Sequence, residues 1–225
     1  MHICYLKKNK IFNNKILNMH LLNEISTEGN SSSFGNTQEI TSNVIATYGE
    51  ILQSGISLIL SKIILTPDDL FLDLGSGTGR VVLQVYLEKG VSSCGIEFIE
   101  KRHKIAEQSL LDLQSKVNHP LILFIQGDFF TMDWSQATII FMCNTCFSPE
   151  MTEKIKKKML TCKKLRYVIV LREFYTKPDW LTVQDNFMVP CTWTDETDVT
   201  IYNAYPHKIK KRTSNHKKRN KSIKK

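Results

Sequence analysis

Apolar positions along this chain follow two patterns. Over 48–64 they recur as Leu52, Ile56, Ile59 and Ile63, in steps of four, three and four, which lays one apolar face along a helix. "TPDD" at 66–69 ends that helix and turns the chain. Short continuous apolar runs then predict strands at 70–74, 92–97, 121–126, 137–143 and 167–171. Amphipathic stretches between them predict helices over 80–88, over 100–113 (with Ile105, Leu110 and Leu113 inward) and over 149–160, the last with a basic outer face. "DVTIYNAY" at 198–205 alternates and predicts a late strand. Strands that are apolar throughout are buried on both faces, so the alternation of strands and helices predicts an α/β protein with a parallel sheet. Ligands of such sheets sit beyond the carboxyl ends of the strands.

The first strand ends in Asp73, followed by Gly75, Gly77 and Gly79 in a G-x-G-x-G turn. A dinucleotide fingerprint needs its third glycine at position 80, where Arg80 stands, and a Walker loop needs a Gly-Lys-Ser/Thr that is absent. Glycines let the backbone approach a ligand closely. A carboxylate at Asp73 would repel a pyrophosphate and attract an ammonium. The second strand ends in Glu97, twenty residues after Gly77, where a carboxylate suits a ribose diol. The third is followed by Gly127-Asp128-Phe129-Phe130, an acid for an adenine amino group and an aromatic for the purine face. Ammonium, ribose and adenine together spell S-adenosylmethionine (SAM). Each piece alone has a mundane alternative, since glycine turns are common and strand-end acids cap helices; their joint occurrence in order is what points to SAM.

The 225 residues suffice for one domain with a real core, and 42% hydrophobic with 23% charged residues is ordinary for a globular chain. Apolar runs such as 56–65 fall short of a membrane span, so no membrane partner is expected. The net charge of +8 is unevenly placed: 208–225 hold ten Lys or Arg and no acid, leaving about −2 for the rest. A basic tail of this kind is expected to be disordered, to gain affinity for nucleic acid by counterion release and to be compatible with nuclear import. The six cysteines form no disulfide framework, which favours a reducing compartment. The C-x-x-C pair Cys143 and Cys146 has no second pair or nearby His, so it reads as core or site lining, with no metal expected. Residues 1–23 lack acids, as transit peptides do, but also lack Arg and Ser. Residues 26–38 read as a flexible linker.

These motifs resemble the class I SAM-dependent methyltransferases and, more narrowly, the disruptor-of-telomeric-silencing (non-SET) family of histone H3 lysine methyltransferases. "TYGE" (47–50) resembles that family's access-loop motif, "DDLFLDLGSGTGRVVLQV" its first motif, and "GIE" (95–97) and "GDFF" (127–130) its next two. "FMCNTCFSPEM" (141–151) resembles its strand-four motif and "CTWTDETDVTIY" (191–202) its late Trp-Thr and Tyr segment. The resemblance spans 44–205. It implies a Rossmann-like, mostly parallel seven-stranded sheet with helices on both faces and an antiparallel late strand. With the composition of the two ends, it divides the chain into a flexible segment at 1–43, a methyltransferase domain at 44–206 and a basic tail at 207–225. Tyr48 and Glu50 would close over SAM, Asp73, Gly75, Gly77 and Gly79 would hold its methionyl end, Glu97 its ribose, and Asp128 and Phe129 its adenine. Asn144, Phe147, Trp193 and Tyr202 would line a channel for the incoming lysine. The family's Gln after the glycine turn is Arg80 here, its Thr after the access-loop Glu is Ile51, its Asn-Asn pair is Cys143-Asn144, and its late Tyr aligns with Ile201 or Tyr202. The implied acceptor is histone H3 in nucleosomes and the implied compartment the nucleus. The alternative is a cytoplasmic or nuclear enzyme of the same fold acting on another protein, RNA or a small molecule. The Asn-Pro-Pro-Tyr type motif of base-amine methylation is absent from the fourth strand's end. A catalytically inert, nucleic-acid-binding fold is disfavoured by the intact acids and glycines.

Overall fold

The computed structural model describes residues 39–41, 44–46, 49–117 and 121–205. A small antiparallel hairpin, β1 (Glu39–Thr41) and β2 (Val44–Ala46), precedes the main body. The body is a seven-stranded sheet of β3 (Leu70–Leu74), β4 (Ser92–Glu97), β5 (Ile122–Gln126), β6 (Ile139–Met142), β7 (Tyr167–Val170), β8 (Leu181–Cys191) and β9 (Thr194–Ala204). Their spatial order is β5-β4-β3-β6-β7-β9-β8. The strands β3 to β7 pair in parallel, and β9 pairs antiparallel with both β7 and β8. Only β9 therefore runs against the other six.

Four helices flank the sheet among the described residues: α1 (Gln53–Ser61), α2 (Arg80–Lys89), α3 (Glu100–Gln114) and α4 (Pro149–Met159). The pleat sorts the core. Phe71, Ile139, Phe141, Ile169 and Ile201 pack with Ile56 and Ile59 of α1 and Val85 of α2. Leu72, Leu74, Ile140, Met142, Val168 and Val170 pack on the other side with Ile155 and Met159 of α4. Ala106 and Leu113 of α3 join Val82 and Leu87 of α2 over Phe124 of β5. Each fully buried aliphatic side chain contributes about 1.5–3 kcal/mol.

Two elements differ from the pattern's prediction. The helix expected over 48–64 begins only at Gln53, because the residues before it are extended and paired with the end of β8. Leu52 N–H donates to Pro190 O at 3.0 Å, Thr192 N–H to Glu50 O at 2.8 Å, and Ile51 bridges Cys191. Strand β8 was not predicted. It is an edge strand whose middle is mostly exposed, with register shifts, so it lacks a clean apolar alternation. The late strand expected at 198–205 starts earlier, at Thr194.

The chain runs outward from β3 through β4 to β5, then returns to place β6 on the other side of β3. Crevices form at such a switch point, outside the carboxyl ends of the strands. Asp73, Glu97 and the loop after Gln126 all lie there.

Candidate active site

A cavity of about 660 Å³ opens over the carboxyl ends of β3 to β6. Its floor begins at Asp73, which is buried, with Oδ1 finding no hydrogen-bond partner. Burial, and secondarily the nearby Glu97 carboxylate, push the Asp73 carboxyl well above the usual range. Gly75, Gly77 and Gly79 all hold positive φ (85°, 56° and 85°), which glycine alone adopts at no steric cost. The turn is hung from β4: Gly75 N–H and Ser76 N–H both donate to Ile96 O. Gly75, Ser76 and Gly77 line the cavity.

Glu97 forms the next wall. Its Oε2 accepts from Gly77 N–H at 2.8 Å and its Oε1 from Ile99 N–H at 2.7 Å. These bonds fix the carboxylate's orientation and leave it further lone pairs for a ligand. Beyond β5, Gly127 N–H donates to Glu97 O, and Asp128 Oδ1 accepts from Phe130 N–H at 2.8 Å. Asp128, Phe129 and Phe130 line the cavity here. The Phe129 ring centroid stands 4.7 Å from that of Phe130 and 6.0 Å from that of Phe147.

The remaining wall comes from the extended residues 49–51 and the β8–β9 turn. Gly49 lies under the Trp193 ring, and a Cβ there would collide with it. Glu50 accepts from the Thr78 hydroxyl and pairs with Arg80 Nε at 2.9 Å, tying this strap to the glycine turn. Trp193 is 45% exposed at the mouth.

The structure thus brings Glu50, Asp73, Gly75, Gly77, Glu97, Asp128, Phe129, Phe147 and Trp193 to one cavity. It does not bring three expected residues there. Asn144 is buried outside the lining, in a 3₁₀ turn (Asn144–Cys146) after β6, where its side chain is spent on backbone. Its Nδ2 donates to Arg172 O at 2.7 Å, and its Oδ1 accepts from Leu171 N–H at 3.0 Å and Arg172 N–H at 2.8 Å. Tyr202 is fully buried on the α4 side of β9, stacked on Phe174 at 5.3 Å, and its hydroxyl accepts from Phe174 N–H. Burial pushes its phenol up to about 12. Gly79 sits behind the turn as the N-cap of α2, where a Cβ would strike Phe124 and Ala106; it serves packing. Tyr48, the segment 1–38 and the basic tail lie outside the described residues.

Sequence reasoning missed Phe98, Arg102, Phe130, Phe141 and Met151, all of which line the cavity, whereas Cys143 and Cys146, read as core or site lining, do line it. Phe98 and Phe130 adjoin residues already singled out and could have been found by extending each strand end by one position. Cys143 stands where the strand-four motif has Asn, and burial pushes its thiol up to about 12, so it is an uncharged wall.

A sheet of this order with one reversed strand, and a glycine turn at its switch point, defines the class I methyltransferase fold. Solved structures agree. An RNA methyltransferase from Salinibacter ruber in complex with S-adenosyl-L-homocysteine superposes with a TM-score of 0.52 at 22% identity, covering 69% of this chain and 93% of that one. The putative methyltransferase yhhF of Escherichia coli superposes at 0.54 with 14% identity, covering 68% and 85%. These likenesses show the fold. The sequence profile described as "Histone methylation protein DOT1" matches residues 24–204, and the chain belongs to that family. Curated relatives include the H3 lysine-79 specific histone-lysine N-methyltransferases of Emericella nidulans (28% identical over 137 residues, 56% of this chain) and Candida albicans (30% over 141 residues, 57% of this chain). The matched region is 27% and 10% of those relatives' own lengths.

Proposed function

We propose that this chain is a SAM-dependent protein-lysine methyltransferase whose acceptor is a lysine of histone H3 in the nucleosome, acting in the nucleus. The observation that carries the cofactor is Asp73: a buried carboxylate oxygen without a partner, at the floor of a cavity whose lining includes the acids Glu97 and Asp128 and the aromatics Phe129, Phe147 and Trp193. An ammonium is the group that such an oxygen fits. The glycine turn admits the methionyl end, Glu97 suits the ribose, and Asp128 with Phe129 suits the adenine. SAM would supply an activated sulfonium methyl.

The chain's own work is then positioning and desolvation. A lysine amine attacks only when neutral, and an aromatic, weakly polar wall disfavours its charged form. Phe147 and Trp193, with Phe141 below, supply that wall, and aromatic faces tolerate the cationic product. No dedicated base is required. The choice of histone H3 rests on family membership and on the curated relatives, which are named for H3 lysine-79. The basic tail 208–225 would grip nucleosomal DNA through phosphate contacts.

The test is transfer of labelled methyl from SAM by the full chain to nucleosomes, free histones and total RNA, with mass spectrometry of the product. Label on H3 in nucleosomes is expected. Removing 208–225 should lower that transfer at about 150 mM salt without altering SAM affinity. Label on RNA alone would reject the acceptor while leaving the cofactor in place.

A further inference from the structure

The ammonium of Lys158, on α4, sits beneath the loop that follows β5. Its Nζ donates to Phe129 O at 2.9 Å, to Phe130 O at 2.7 Å, and to Met132 O. The Trp134 ring lies 5.1 Å from the same nitrogen, and its Nε1 donates to Phe129 O at 2.8 Å. The loop therefore has two sides. Asp128, Phe129 and Phe130 line the cavity, while the carbonyls of 129, 130 and 132 converge on one cation.

Three carbonyl dipoles aimed at one point repel one another. A lysine ammonium has three donors and no acceptor, which matches three carbonyls one for one. Within the loop, Phe130 N–H and Thr131 N–H bond to Asp128, but those bonds are local. Gly127 N–H on Glu97 O anchors the start of the turn to β4, and Phe129 packs into the core; Lys158, with Trp134, ties down the carbonyls of 129–132.

We infer that Lys158 is a positioning residue for the adenosine side of the cofactor site, acting through the backbone of 129–132. This rests on the cofactor reading above. An uncharged side chain of similar length leaves the carbonyls facing one another without a cation, and the turn relaxes away from the cavity. Of the channel walls, Trp193 belongs to the β8–β9 turn, and Phe147, though its ring stands near that of Phe129, has its backbone held by Asn144 and Arg172. The loss should therefore appear in affinity for the cofactor and not in turnover once the site is saturated.

The test uses the full chain with Lys158→Met, Lys158→Gln and Lys158→Arg, and Lys157→Ala as an exposed-lysine control. Each is titrated with S-adenosylhomocysteine and with adenosine by calorimetry, and amide exchange over 127–132 is followed without ligand. K158M and K158Q should weaken both ligands by about tenfold or more. Exchange over 127–132 should quicken, K158R should recover most of the affinity, and K157A should match the native chain. Transfer at saturating cofactor should stay within about twofold of native. A folded K158Q with native affinity overturns the inference whatever K158M does, as does a loss confined to saturated turnover. A native chain that takes up no S-adenosylhomocysteine rejects the cofactor reading itself, whereas native binding matched by K158Q rejects only the role of Lys158.

Discussion

Asp73 is the residue on which the site's electrostatics turn. Its carboxyl is held above the usual range by burial first and by Glu97 second. A raised acid binds its proton more tightly folded than unfolded, so the cofactor-free chain loses stability as pH climbs from about 4 through the raised value. Asp73→Asn removes that penalty. Its melting temperature without cofactor should exceed the native one by several degrees at pH 7 and match it near pH 4, by scanning calorimetry. The same variant should show no thermal shift with SAM, because the partner for the ammonium is gone. In the native chain, SAM affinity should fall as acidification protonates Asp73. The neighbouring glycines differ in what they serve: Gly75 and Gly77 line the cavity, whereas Gly79 accommodates Phe124. A motif of three equal letters thus hides two separate physical roles.

At the scale of elements, the amino ends of β3, β6 and β7 are clasped by one carboxylate opposite the site. Asp69 accepts from Thr138 Oγ1 at 2.7 Å, from Thr66 N–H at 2.7 Å and from Arg166 Nη1 at 2.6 Å. Burial acts to raise its carboxyl, but those donors outweigh it and hold it below the ordinary range. This is the reverse of Asp73: the stability it contributes is present above the unfolded value near 4 and drains as pH falls through the folded one. Asp69→Ala should cost about 1–3 kcal/mol at pH 7 by denaturant unfolding, and the difference should shrink in acid, where the protonated carboxyl keeps only its neutral hydrogen bonds. The turn at 66–69 was legible as a helix stop; its bond to Arg166, ninety-seven residues away, was not, because no local pattern encodes it. Strand ends were legible for the converse reason. A buried strand is a continuous apolar run, so an acid at or just past its carboxyl end marks the crevice, and Asp73, Glu97 and Asp128 stand out. Asn144 and Tyr202 came from resemblance alone. The 3₁₀ turn swings Asn144 toward 171–172, and the pleat of β9 sends Tyr202 to α4 and Ile201 to α1, neither toward the cavity.

Across the whole molecule, the cavity is closed by residues about 140 positions apart, with 49–52 stitched to 190–192 by antiparallel bonds. That closure was the least legible feature. A helical period ran straight through the strap in the sequence, and β8 showed too little alternation to announce itself. The chain carries three tryptophans. Trp134 and Trp180 are 5% and 7% exposed, while Trp193 alone stands half open at the mouth. The molecule is thereby fitted with its own optical gauge. Acrylamide should quench a single fraction of the intrinsic emission, and filling the crevice beneath that indole should shield it, so occupancy is readable by light without any attached dye.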